Sequence, residues 1–173
     1  GPMELADEVG IDVGYHVAHI LEGAYGNRMR IAEILKTVYE AGMLGKKSGE
    51  GFYIHAGKHK TVSSNVQNMR GNTVFTLDDN VTLKRLLYIM INEASRCLEE
   101  GVVESASTID VGMIYGTGFP PFRGGLLRYA DSVGVKHIVS DLKNFQDRFD
   151  QHRFEPSQLL LSMAKTNDTF YPS

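Results

Sequence analysis

The chain has 173 residues, 42% of them hydrophobic, enough for one globular domain or two very small ones with an apolar core. Its net charge of -3 with scattered lysines and arginines excludes the basic stripe of a nucleic-acid binder, and a lone cysteine, Cys97, excludes a disulfide framework or a cysteine-based zinc site. No apolar run approaches the roughly 20 residues that span a bilayer, and no basic-then-apolar signal opens the chain, so a soluble protein of a reducing, intracellular compartment is expected.

In VGYHVAHILEGAYG, Val13, Val17, Ile20, Leu21 and Ala24 fall on one helical face, and RIAEILKTVYEAG repeats the spacing with Ile31, Ile34, Leu35 and Val38. Both predicted helices end at a glycine, Gly26 and Gly42. GKKSGEG at 45–51 is a turn-rich break before the short apolar FYI. Residues 56–78 are polar and nearly free of periodicity, which predicts a solvated loop or linker. Acidic N-cap candidates in LDD then precede the strongest predicted helix, 80–100, whose stripe is Leu83, Leu86, Leu87, Met90, Ile91, Ala94 and Leu98. A shorter helix is expected from Ser107 to Tyr115, stopped by MIYGTGFPPFRGG, because Pro120-Pro121 cannot continue a hydrogen-bond ladder. Further helices are expected at 124–132, 135–149 and 156–165, the last with Pro156 in its first turn. No segment alternates well enough to be a strand, so the expected class is all-α.

Local motifs carry little chemistry. The GTG at 116–118 lacks the strand before and the helix after that a dinucleotide loop requires, and the lysines of GKKSGEGFY precede the inner glycines instead of following a phosphate-loop frame. His16 with His19, and His55 with His59, lack a third metal ligand nearby, so no metal site is expected. Cys97 is expected as a small core residue, and Asn92-Glu93 as an exposed pair or an inter-helix hydrogen bond. The Asn-x-Thr triplets at Asn80 and Asn167 are chance in this setting. No catalytic constellation stands complete in the chain.

An internal repeat is more informative. GPMELADEVGI at 1–11 aligns without gaps on GLLRYADSVGV at 125–135, matching Gly1/Gly125, Ala6/Ala130, Asp7/Asp131, Val9/Val133 and Gly10/Gly134. Each copy is followed by predicted helices and then by Phe-Tyr, at Phe52-Tyr53 and Phe170-Tyr171. Asp7 and Asp131 are therefore expected to act structurally at a helix boundary. The expected organisation is one and a half copies of a helical unit: the C-terminal part of a first repeat at 1–55, the loop at 56–78, and a complete second repeat at 79–173. On this alignment the chain begins within a unit, as part of a longer protein would.

GPMELADEVGIDVG, GKKSGEGFY, MINEASRCLEEGVVES and MIYGTGFPPFRGGLLRYADSVG together resemble the C-terminal part of the L-3-hydroxyacyl-CoA dehydrogenase family. The form most similar is that of the multifunctional α-subunits of fatty-acid β-oxidation complexes, which join an enoyl-CoA hydratase/isomerase to the dehydrogenase. The resemblance covers nearly the whole chain apart from 56–78. It implies an all-α fold like the C-terminal domain of 6-phosphogluconate dehydrogenase, preceded in the parent by an NAD-binding Rossmann domain that holds the catalytic His-Glu pair. It also implies an acyl-CoA substrate, a thiolase β-subunit as partner, and a bacterial cytoplasmic location, or a mitochondrial one in a eukaryote. No catalytic or NAD-binding residue carries over. The family's substrate-holding asparagine has no counterpart, since the corresponding dipeptide in the second repeat is Lys84-Arg85. Tyr115, the tyrosine of YGTGFPPF, carries over as a substrate-binding position, with packing alongside Phe119 as the alternative. A competing expectation is a stand-alone helical binding or dimerisation module.

Overall fold

Pro2 sits in the first turn of helix α1 (Pro2–Val9), and Gly10, at φ 108°, breaks it from α2 (Ile11–Tyr25). After a 3₁₀ turn at Gly26–Met29 comes α3 (Glu33–Glu40). A second 3₁₀ turn, Lys46–Ser48, leads into an antiparallel hairpin of β1 (Tyr53–Ala56) and β2 (His59–Val62), in which Tyr53 faces Val62 and Ala56 faces His59. Helix α4 (Ser64–Met69) follows. The computed structural model describes residues 1–57, 59–69, 77–149 and 152–172.

These elements belong to the first of two units, Gly1–Thr76. Its core is small: Ile11, Val38, Met43 and Val66, flanked by Ala6, Ile34, Leu35, Phe52 and Met69. The stretch 56–78, expected to be a loop, instead carries β2 and α4, with Ser63 and Val66 buried. Residues 58 and 70–76 of that stretch lie outside the described residues. The hairpin escaped a periodicity reading because it is short and β2 is exposed along its whole length. The apolar stripe expected of α2 also fails to find a core, for Val13, Val17 and Ile20 are exposed and Ile20 keeps 71% of its surface accessible.

The second unit spans Leu77–Ser173. Helix α5 (Asp79–Glu99) starts under an Asp78 cap whose carboxylate accepts the Asn80 N–H at 2.8 Å. Ser105 caps α6 (Ala106–Thr117), and Gly118, left-handed at φ 72°, ends it. Then follow α7 (Leu126–Val133), α8 (Val135–Phe149) and α9 (Gln158–Thr166). Ser157 caps α9, so Pro156 precedes the helix instead of lying in its first turn. One core joins Tyr88 and Ile91 of α5 with Leu126 and Leu127 of α7, Ile138, Leu142 and Phe145 of α8, and Leu160 of α9. Among the described residues the chain is mostly helical, with one small hairpin, in agreement with the all-α class.

Candidate functional site

Local chemistry in the second unit concentrates on the corner between α6 and α7. Its prolines and glycines leave little backbone freedom: Pro121–Arg123 forms a 3₁₀ turn, and Gly124 and Gly125 both take positive φ, 78° and 118°. Gly125 has two reasons to be glycine, because a Cβ there would also fall on the carboxyl group of Asp110. The aromatic residues of the corner divide into two roles. Phe119 is buried in the core and packs near the Tyr129 ring. Tyr115 and Phe122 are 86% and 83% exposed, so within this unit neither is a packing residue.

Asp110, buried on α6, fixes the corner from inside. Its Oδ1 accepts the Leu127 N–H at 2.6 Å, and its Oδ2 accepts the Arg128 N–H at 3.2 Å and the Tyr171 hydroxyl at 2.7 Å. Two orphan donors at the N-terminus of α7 are thereby satisfied by a carboxylate that also favours the helix dipole. The Arg128 guanidinium lies 3.8 Å from the centre of the Tyr171 ring. Burial first, and then the hydrogen bond to Asp110, push the Tyr171 phenol up to about 12. Asp110 and Tyr171 are absent from the sequence-level site residues: a single aspartate in a short apolar helix has no periodic signature.

Asp131 accepts the N–H groups of Phe170 at 2.8 Å and Tyr171 at 3.0 Å. In the first unit Asp7 does the same for Phe52 at 2.8 Å and Tyr53 at 2.9 Å, and its Oδ2 also meets His55 Nε2 at 2.8 Å. The repeated aspartates thus clasp the repeated Phe-Tyr pairs, a structural role at the end of a helix as expected. GKKSGEGFY is the cradle of this clasp. A Cβ at Gly45 or Gly51 would collide with Asp7, while Lys46 and Lys47 lie exposed and pair with Glu8 at 2.9 Å and Asp12 at 2.5 Å.

The remaining candidates fall into structural places. His19 lies edge-on to Tyr15 at 4.6 Å, and Tyr15 stacks on Tyr39 at 4.2 Å. Among the described residues no three His, Cys, Asp or Glu side chains are grouped to hold a metal ion. Asn92 is fully buried, accepting the Ser157 N–H at 2.9 Å and donating to the Glu155 carbonyl at 2.8 Å, which is the inter-helix hydrogen bond of the two expectations. Cys97 is half-buried. The GTG turn at 116–118 does not fit a dinucleotide. Gly116 and Gly118 lie at the carboxyl end of α6, where outward carbonyls and the negative end of the dipole oppose a pyrophosphate. No helix among the described residues is long and apolar enough to cross a membrane.

Comparison with known proteins places this architecture. A family model described as the 3-hydroxyacyl-CoA dehydrogenase C-terminal domain matches residues 1–55 and 82–170. The fatty acid oxidation complex subunit alpha of Shewanella loihica is 42% identical over 174 residues, covering 99% of this chain and 24% of the relative. The subunit of the same name from Vibrio parahaemolyticus is 38% identical over 172 residues, again 99% of this chain and 24% of the relative. The chain thus spans about a quarter of the length of the curated relatives it matches. Among solved structures, 3-hydroxybutyryl-CoA dehydrogenase from Escherichia coli superposes with a TM-score of 0.76 at 21% identity, over 96% of this chain and 51% of that one. The dehydrogenase part of multifunctional enzyme 1 from C. elegans gives a TM-score of 0.63 at 24% identity, over 94% and 38%. Both structural likenesses are likenesses of fold.

Proposed function

The chain belongs to the 3-hydroxyacyl-CoA dehydrogenase C-terminal-domain family, and on that premise we propose that it is the helical part of a longer enzyme of fatty-acid oxidation. That parent oxidises a 3-hydroxyacyl-CoA to a 3-oxoacyl-CoA, with NAD as the hydride acceptor, and hydrates enoyl-CoA in a separate domain. The observation that carries the reading is the family match across both units, 1–55 and 82–170.

In the parent the helical part closes the substrate cleft and supports assembly with a thiolase subunit in the cytoplasm. The exposed apolar residues of α2, Val13, Val17 and Ile20, support the assembly role, since such surface is costly to leave in water. Tyr115 supports the cleft role. It is an exposed phenol on a corner braced by Asp110, and it offers one hydrogen bond and an apolar face to a thioester or its pantetheine arm. Its contribution is positioning, which lowers the barrier only when base and cofactor stand opposite. NAD and the proton-accepting residues belong to another domain of the parent. The chain alone is therefore expected to be silent. Incubated with acetoacetyl-CoA and NADH it should consume no NADH above the blank, and turnover above the blank would overturn the assignment of roles.

A further inference from the structure

Arg85, half-buried on α5, is a cation without a counter-charge among the described residues. Its guanidinium carbon lies 4.0 Å from the centre of the Phe149 ring at the end of α8, and 5.5 Å from that of Phe154 in the 3₁₀ turn His152–Phe154. Its Nε is buried with no hydrogen-bond partner, and no ion pair reaches the rest of the group among the described residues. Arg96 is the contrast. Its Nε is also buried, but its guanidinium donates to the Glu155 carbonyl at 2.7 Å and lies 3.7 Å from a Glu93 carboxylate oxygen. Arg148, exposed in the last turn of α8, sets its guanidinium carbon 5.2 Å from the same Phe149 ring and likewise has no ion pair among the described residues. Burial first, and then the charges of Arg153 and Arg148, push the Arg85 guanidinium down from its ordinary value. Buried charges and buried polar atoms are ordinarily paired, so this group calls for an anion.

The carboxylates close in the chain do not supply it. Asp141 is taken by Lys84 at 2.9 Å, and Asp147 and Glu155 pair with neither Arg85 nor Arg148. The carboxyl end of α8 adds about half a negative charge, which three guanidinium cations outweigh; at the end of α6 the same dipole meets no basic residue in the last turn. A neutral ligand would leave the charge as it is, and a cation would be repelled. A monocarboxylate would offset one cation of the three. A phosphate monoester carries about −1.5 to −2 charge near neutral pH and three terminal oxygens, which guanidinium forks match.

We propose that Arg85, Arg148 and Arg153 form a binding site for a phosphate group, free or as the monoester of a small molecule, where α5 meets the end of α8 and the 152–154 turn. Nothing in this site depends on the acyl-CoA reading above.

The test is an NMR titration of the ¹⁵N-labelled 173-residue chain at neutral pH and constant ionic strength, with inorganic phosphate, AMP and acetate in separate arms. Phosphate and AMP should bind saturably, with dissociation constants on the order of 1 mM, and shift the amides of residues 84–86, 148–149 and 152–154; acetate should bind about tenfold more weakly. Arg148→Gln, at an exposed position, should weaken phosphate about fivefold at an unchanged melting temperature. Arg85→Met should abolish binding and, in phosphate-free buffer, melt no lower than the native chain, because an unpaired buried charge is gone. Tighter binding of AMP than of phosphate would uphold the site and assign it to a monoester, and equal binding would uphold it for the free ion. Acetate binding as tight as phosphate would overturn the choice of phosphate. Absence of saturable shifts at these residues, or affinity indifferent to Arg148→Gln, would overturn the site. So would binding that appears only in Asp150→Asn, for the chain would then supply its own anion; Asp150 lies outside the described residues.

Discussion

Two aspartates hold this chain's helices to their neighbouring strand or tail, and the cost of losing one follows from what it leaves behind. Asp7 is 1% exposed and satisfies two backbone N–H groups together with a ring nitrogen of His55. Asp7→Ala should lower stability by about 3 kcal/mol, because each stranded donor carries a desolvation penalty of about 1–3 kcal/mol. Urea unfolding monitored by circular dichroism checks it, and a loss under about 1 kcal/mol would show that water replaces the carboxylate. Tyr171 gives a pH signature of its own. Its phenol has an ordinary value of 10.0 and is raised to about 12 in the fold, so the unfolded chain releases its proton first. Stability should be unaffected by this group below pH 10 and should fall as pH rises toward 12; Tyr171→Phe should remove that fall from the unfolding curve. The clasp aspartates were legible in the sequence because each stands at the same place in its repeat. Asp110 was not, since its partners at 127, 128 and 171 are distant in sequence and nothing local marks them.

Elements were legible wherever the apolar period was long. Helix α5 was expected at 80–100 and runs Asp79–Glu99, and α8 matches its expected 135–149 span. Which face each helix buries was less legible. The expected stripe of α5 included Leu83 and Leu86, but Leu86 is 55% exposed, while Tyr88, Asn92 and Ser95 are buried. The reason is polar. Asn92 accepts the Ser157 N–H at the start of α9, and Ser95 Oγ meets Ser157 Oγ at 2.6 Å, so the inward face is set partly by hydrogen bonds that a hydropathy pattern ignores. Two substitutions separate these views. Leu86→Lys should change stability by under about 0.5 kcal/mol, whereas Asn92→Ala should cost about 2–4 kcal/mol by stranding buried backbone groups. Thermal unfolding of the two variants compares them directly, and the opposite ranking would restore the apolar stripe as the packed face. The hairpin and α4 were missed for the same reason in reverse, because each is short and mostly polar, and α4 buries only Val66.

At the scale of the whole molecule, the aligned segments at 1–11 and 125–135 become the same device twice: a helix, an aspartate, a glycine break and a clasped Phe-Tyr. Gly10 and Gly134 take nearly the same backbone angles, φ 108° and ψ 126° against φ 93° and ψ 120°. That duplication was legible without any structure. The exposure of the α2 stripe was not, since a sequence shows which residues are apolar and leaves open what covers them. On the function proposed above, the braced corner between α6 and α7 helps hold substrate in a longer parent enzyme. Tyr115 is where that claim is most exposed to test. In the parent dehydrogenase, Tyr115→Phe removes one hydroxyl from a solvent-facing ring and should leave the fold and kcat intact. The account predicts a KM for 3-hydroxyacyl-CoA raised about fivefold, the worth of one hydrogen bond to substrate. An unchanged KM and kcat would contradict it and leave the corner a purely structural turn.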